Sequence, residues 1–234
     1  MKLITFSNAK TTKGQKYNWL TGILYMAPSN IVKGINVCKF ASSGCKKSCL
    51  YTAGRGVFSN VQQARISKTE LFRDDKTFFM QCVVKDIIAA KKKAAKNNMK
   101  LAIRLNGTSD ICFETIIVSD NKNIFELFPE VTFYDYTKDY TRKDALKGKW
   151  KNYHVTFSRS ESKKNHTKSL ELLAQGVNVA VVFDNLPKKF ANVTVVNGDE
   201  TDLRFLDKKK RVIGLIAKGK AKKDNSGFVV KEVK

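Results

Sequence analysis

Residues 153–183 decide the fold. Tyr153–Ser158 (YHVTFS) alternates apolar and polar residues, the period of a strand. Ser162–Ala174 (SKKNHTKSLELLA) follows at helical spacing, and Gly176 closes it. Val177–Phe183 (VNVAVVF) is almost wholly apolar, as a parallel strand covered on both faces should be. Strand, helix and buried strand in that order make a crossover unit.

The same alternation runs outward in both directions. Strands are expected at Leu20–Met26, Leu101–Leu105, Val131–Tyr136, Val193–Val196 and Val212–Ile216. Helices are expected over Val61–Phe72, Thr77–Asn97, Phe113–Leu127 and, briefly, Thr141–Lys147. The expected class is α/β: a single-domain open or partial β/α barrel with mostly parallel strands over residues 1–234, a doubly wound sheet being the alternative. No Gly/Ser-rich or Pro-rich linker divides the chain, which has three prolines, Pro28, Pro129 and Pro187.

In either architecture ligands bind at the carboxyl ends of the strands. Polar clusters fall there: Asn106–Asp110 (NGTSD), Asp135–Lys138 (DYTK), Ser158–Glu161 (SRSE) and Asn197–Glu200 (NGDE). Asp110, Asp135 and Lys138 are the candidate acid–base residues. Asn106, Ser109, Ser158, Arg159 and Asp199 are the candidate ligand-binding residues. Arg159 suits a phosphate or carboxylate gripped bidentately, and Tyr134, Tyr136 and Tyr140 are candidates to stack on a base. The bland counterpart at each place is a strand, a turn and a helix cap. No serine–histidine–aspartate triad, phosphate-binding loop, dinucleotide fingerprint or H-E-x-x-H motif occurs.

The formal charge is 44 − 21 = +23 over 234 residues, which favours anionic ligands. It is unevenly placed. Met1–Thr69 holds 11 basic residues and no acid, and Lys208–Lys223 holds 8 and no acid; residues 70–207 are near balance, with 23 basic and 19 acidic residues. A basic C-terminal segment is therefore marked off at 208–234. No run of 18 apolar residues exists, and Met1–Ser7 lacks the apolar centre of a signal peptide, so a cytoplasmic protein without a membrane partner is expected.

Within the first acid-free stretch, in a loop at 36–56, lie Cys38, Cys45 and Cys49. Three thiols within 12 residues can converge on one metal centre. Ala41, Ser42, Ser43 and Gly44 let the loop wrap closely, and Lys39, Lys46 and Lys47 favour the thiolate form. A [4Fe–4S] cluster held by three cysteines, with S-adenosylmethionine as a candidate co-substrate, is the leading expectation. Zinc is the alternative and needs a fourth ligand from Cys82, Cys112, His154 or His166. The bland reading is a group of free thiols, and for Cys82 and Cys112 a place in the core.

Arg104–Asp110 (RLNGTSD), Phe133–Lys138 (FYDYTK), Gly198–Asp202 (GDETD), the cysteine loop and Gly54-Arg55 together resemble the gene product 88-like family of phage and plasmid proteins, from about Asn8 to Phe228. The resemblance implies a mobile-element protein in a bacterial cytoplasm and carries no settled activity. A cysteine loop after the first strand of a β/α series is also similar in layout to radical S-adenosylmethionine enzymes, although the usual C-x3-C-x2-C spacing is replaced by C-x6-C-x3-C. The expected function is a three-cysteine iron–sulfur enzyme acting at its strand ends on a nucleotide or nucleic acid. The alternatives are a non-catalytic nucleic-acid-binding protein with a structural zinc, or a metal-free host-takeover protein.

Overall fold

The computed structural model describes residues 1–231. The chain opens with β1 (Ile4–Thr5), α1 (Ala9–Gln15) and β2 (Trp19–Leu24). Periodicity does not announce α1; a capping box makes it, Asn8 and Thr11 each satisfying the other's backbone N–H. The cysteine loop follows and holds the short α2 (Ser43–Lys47). Next come α3 (Ser59–Asp74), α4 (Lys76–Lys96), β3 (Lys100–Arg104), β4 (Ile117–Ser119), β5 (Lys122–Asn123), α5 (Ile124–Leu127), β6 (Thr132–Thr137), α6 (Lys143–Leu146) and β7 (Tyr153–Ser158). The chain ends with α7 (Lys163–Ala174), β8 (Val179–Phe183), β9 (Lys189–Phe190), β10 (Val193–Asn197), β11 (Val212–Ile216) and β12 (Val229–Val230). Residues 232–234, part of the basic segment expected at 208–234, lie outside the described residues.

Among the described residues ten strands join one open sheet in the order β1-β2-β3-β6-β7-β8-β11-β10-β9, with β12 on β8. Pairing is parallel from β2 through to β10; only the end strands β1 and β9 run antiparallel. From β2 to β8 the parallel strands advance across the sheet in chain order without reversal, and no doubly wound switch point interrupts them. β12 takes over the edge of β8 beyond Ala180, where β7 has ended.

One departure from expectation is local. Phe113–Leu127 is not one helix but a 3-10 turn at Phe113–Thr115, the β4–β5 hairpin and α5. Ile116, Ile117 and Val118 are β-branched and favour strand. Asp120 and Asn121 both take positive φ, 48° and 58°, which a tight two-residue hairpin demands. Asn123 then caps α5 with Glu126.

Alternation sorts the strand side chains to two faces. Leu101, Ile103 and Phe133 pack with Phe79, Val83 and Ile87 of α4, whereas Phe157, Val179 and Val181 pack with Leu172 and Leu173 of α7. The opposite face carries Trp19, Arg104, Tyr134, Tyr136 and His154. Among the described residues no helix of comparable length covers it. The loop after β10 crosses it instead, and Phe205 lies against Trp19, Tyr134 and His154 at ring-centroid distances of 4.6, 5.6 and 5.9 Å.

That loop is held by charge. Arg104 and Asp202 are each 6% exposed. Arg104 Nη1 donates to Asp202 Oδ2 at 3.2 Å, Tyr134 Oη donates to the same oxygen at 3.2 Å, and Lys10 Nζ lies 3.4 Å from Oδ1. The guanidinium also rests over the Tyr136 ring at 4.6 Å. Burial opposes the carboxylate charge, but Lys10, Arg104 and Arg204 hold its pKa down at about 2.

Removing one partner of a buried pair strands the other charge. Asp202→Asn should therefore destabilise the fold by about 3–5 kcal/mol, read as a shifted urea midpoint. The wild-type pair should contribute fully above pH 3.8, the ordinary value for the carboxyl, and lose its contribution as pH falls toward 2. Asp202→Asn should lack that acid limb.

Candidate functional site at the strand ends

The cysteine loop leaves the carboxyl end of β2 and is tied to its neighbours' ends. Asp110 N donates to Val37 O at 2.7 Å, and Cys38 Sγ lies 3.7 Å from Thr108 O, so the loop lies on the turn after β3. Glu161, just past β7, accepts from Ser42 Oγ at 2.7 Å and from Gly44 N at 2.8 Å. Ser42 meanwhile caps α2 through Cys45 N. A Cβ on Gly44 would crowd Ser226 Oγ and stand 2.8 Å from the Glu161 carboxyl carbon, so a larger residue here would displace the side chains that hold the loop.

The second acid-free segment folds onto the first. Cys45 packs against a cluster of Ala217, Ala221, Phe228 and Val229. A Cβ on Gly219, whose φ is +55°, would stand 3.0 Å from Ala53 Cβ. The two basic stretches, about 170 residues apart in sequence, therefore meet at the cysteines.

All five cysteines are free thiols. Burial pushes the Cys38 thiol up to about 12, with Asp110, Cys45 and Cys49 adding to the rise. Burial also raises Cys49, against the pull of Lys138 and Arg65 and a hydrogen bond from Tyr51 N–H. The three loop thiols thus influence one another and face two cations. Arg65 lies between the rings of Tyr25 and Tyr51, 5.0 and 5.4 Å from their centroids. Its Nε and Nη1 are buried without a hydrogen-bond partner. Two of its nitrogens thus lack the acceptor that buried N–H groups ordinarily have.

Lys138 Nζ donates to Ser158 Oγ at 2.6 Å and lies 5.5 Å from the Phe228 ring centroid. These two expected site residues stand together at the ends of β6 and β7. Asp110 accepts from Thr137 Oγ1 at 2.7 Å and from Lys138 N at 2.8 Å, with Arg142 Nη1 at 3.3 Å. Burial raises its pKa against the nearby Arg142 charge.

Other expected residues are turned to the scaffold. Asp135 is 0% exposed and accepts from Asn106 N at 2.7 Å and Tyr153 Oη at 3.2 Å. Asn106 Oδ1 accepts from Ser109 Oγ and Ile111 N, so Asn106 and Ser109 shape the turn. Arg159 Nη1 donates to the carbonyls of Gly227 and Phe228, at 2.7 and 3.2 Å, and so anchors β12. Asp199 accepts from Ile216 N and pairs with Lys218 at the ends of β10 and β11, with Lys13 bonded to its carbonyl. Tyr134 is buried on Asp202; of the three tyrosines, Tyr140 faces a solvent groove.

The residues considered as a fourth zinc ligand are engaged elsewhere. Cys82 is in the α4 core, Cys112 lies 3.7 Å from Asp139, His154 is beside Phe205, and His166 accepts from Arg159 Nε at 3.3 Å. Among the described residues no three His, Cys, Asp or Glu side chains gather closely enough to hold a metal ion.

Glu161 and Arg65 carry the loop's attachment and its unmet charge, yet sequence alone gave neither this role. Arg65 belongs to the polar face of an amphipathic helix and reads there as solvated. Glu161 is an ordinary acid beside a helix cap until the fold brings Gly44 to it.

A family model, Gene product 88, matches residues 2–232. The chain belongs to the Gene product 88 family. None of the curated proteins and none of the solved structures matches it. Among the described residues no helix of this family member is long and apolar enough to cross a membrane.

Two outcomes follow from this geometry. Glu161→Ala should release the loop, raising the alkylation rate of Cys45 several-fold in metal-free protein while the urea midpoint moves by only about 1–3 kcal/mol. Asp135, pushed up to about 7 chiefly by burial, stabilises the fold fully below pH 3.8 and loses that contribution as pH rises through 7. Asp135→Asn should flatten this limb of a stability–pH curve.

Proposed function

We propose that this Gene product 88 protein is a three-cysteine iron–sulfur protein whose working surface is the carboxyl edge of a partial β/α barrel. It is an enzyme of mobile-element type, acting in the host cytoplasm on a nucleotide or nucleic acid. The observation that supports this reading is that Cys38, Cys45 and Cys49 share one loop at the strand ends, near Lys138 and near Arg65, whose Nε and Nη1 have no hydrogen-bond partner.

Three thiols from one loop are the donor set such a group needs. Thiolates on one zinc, each about 2.3 Å from the ion, stand about 3.8 Å apart and need a fourth partner. A cubane cluster spreads its cysteine sulfurs over separate corners, so it does not require three thiols to close on a single ion. Cys38, Cys45 and Cys49 would hold it, and Lys138 and Arg65 would offset its negative charge. When bound, a [4Fe–4S] cluster with three cysteine ligands leaves one iron open to a substrate or to S-adenosylmethionine. Near it, Lys138 supplies an ammonium already hydrogen-bonded to Ser158, suited to hold an anionic substrate group. Asp110 orders the Lys138 backbone. Asp135 positions the turn through Asn106, and its burial removes it from direct contact with a ligand.

Protein purified without oxygen should carry about four iron and four sulfide per chain and absorb near about 400 nm. Cys38→Ala, Cys45→Ala and Cys49→Ala should each abolish that absorbance, and Cys82→Ala should leave it intact. One zinc per chain and no sulfide would replace the reading with a structural zinc site. Protein with neither metal would overturn it.

A further inference from the structure

Beside the cysteine loop lies a groove of about 980 Å³ lined by Tyr140, Thr141, Lys143, Lys163, Lys164, Thr167, Lys168 and Glu171. Its two walls are the loop entering α6 and the first turns of α7. Lys168 is paired with Glu171 at 2.7 Å. Lys143, Lys163 and Lys164 have no carboxylate partner among the described residues.

Two features set these lysines apart from a solvated face. Lys163 and Lys164 occupy the first turn of α7, which contains no acidic residue. Cations there oppose the positive end of the helix dipole, so the sequence places charge where the helix disfavours it. A bound anion would relieve both. The groove also carries an aromatic wall: Tyr140 meets Phe40 edge-on at 5.3 Å, and Lys164 Nζ lies 4.9 Å from the Tyr140 centroid. Phe40 belongs to the cysteine loop, so the aromatic wall of the groove packs against that loop.

We propose that this groove binds single-stranded nucleic acid, its phosphates on Lys143, Lys163 and Lys164 and a base against Tyr140, and delivers the strand toward the cysteine loop. Lysines alone would accept any polyanion. The tyrosine selects an unpaired base, because a base in a duplex has both faces stacked. The proposal rests on the functional reading above only in naming the substrate; the groove's own residues do not include a cysteine.

The test is fluorescence anisotropy of the full chain with a labelled single strand of about 16 nucleotides, as DNA and as RNA, across a salt series. Lys163→Gln/Lys164→Gln should lower the salt slope by about 1.4 and weaken binding roughly 25-fold at 0.1 M salt, two phosphate contacts being lost. Tyr140→Leu should weaken single-strand binding roughly tenfold. Lys92→Gln/Lys93→Gln, on exposed α4, removes equal charge and should change neither; thermal melts check that each variant is folded. Wild-type protein stripped of metal should bind as anaerobically purified protein does, which separates the groove from the cluster. Equal affinity for a blunt duplex would overturn the proposal. So would binding to phosphatidylglycerol vesicles in place of oligonucleotide, or equal losses in the α4 control.

Discussion

A parallel sheet must be covered on both faces, and this chain has long helices for only one. The other face is closed by irregular segments, and a single buried carboxylate, Asp202, gathers them. It joins the guanidinium of β3, the hydroxyl of Tyr134 on β6 and the ammonium of α1. A buried ion pair adds little net stability over an apolar equivalent, but it fixes which groups must meet. Here it specifies register: the loop after β10 must lie where Arg104 ends β3. The cap over the sheet is therefore bound to the same strand that leads, two residues later, into the turn carrying the cysteine loop.

The repeated strands and helices were legible because their causes are local. Val177–Phe183 is apolar throughout and Ser162–Ala174 has one apolar stripe, so neither had a competing structure. Phe113–Leu127 misled because apolar residues at mixed spacing suit either a helix or a hairpin. The decision lay in two residues, Asp120 and Asn121, whose tolerance of positive φ is chemical and not periodic. Strand-end motifs were legible as places but not as roles. Asp135 and Lys138 are three residues apart, yet one points into the scaffold and the other to Ser158. Which side of a strand faces the ligand depends on what covers each face, and that is tertiary information.

Charge shows the same limit in another form. Counted along the chain, the excess lies before Glu70 and between Lys208 and Lys223. In the fold these stretches pack together through Cys45, Ala53 and Gly219, and acids from the middle of the chain meet them: Glu161 at Gly44, Asp199 at Lys13 and Lys218, Asp202 at Lys10. The middle of the chain reads as balanced, yet its acids are spent on interior and local partners: Glu114 and Asp110 on Arg142, Asp202 on Arg104. Among the described residues Lys163 and Lys164 of α7 and Lys143 are left without a carboxylate partner on the surface. A near-zero count can thus conceal a strongly positive groove, because neutrality in sequence is not neutrality at one place.

The cysteine loop follows from these constraints. A flexible loop of small residues would not by itself hold three thiols together against the entropy of its own chain. Glu161 supplies a fixed point at α2, the Asp110–Val37 hydrogen bond supplies another near Cys38, and the C-terminal segment closes the third side behind Cys45. Each attachment comes from a different strand end, so the triangle of thiols reports the positions of β3, β7 and β12 relative to one another. Burial raises the Cys38 thiol, and Arg65 Nε and Nη1 lie near Cys49 without a hydrogen-bond partner. Under the proposed function a bound cluster is the charged group that would meet both, and the attachments at the strand ends are what would position it.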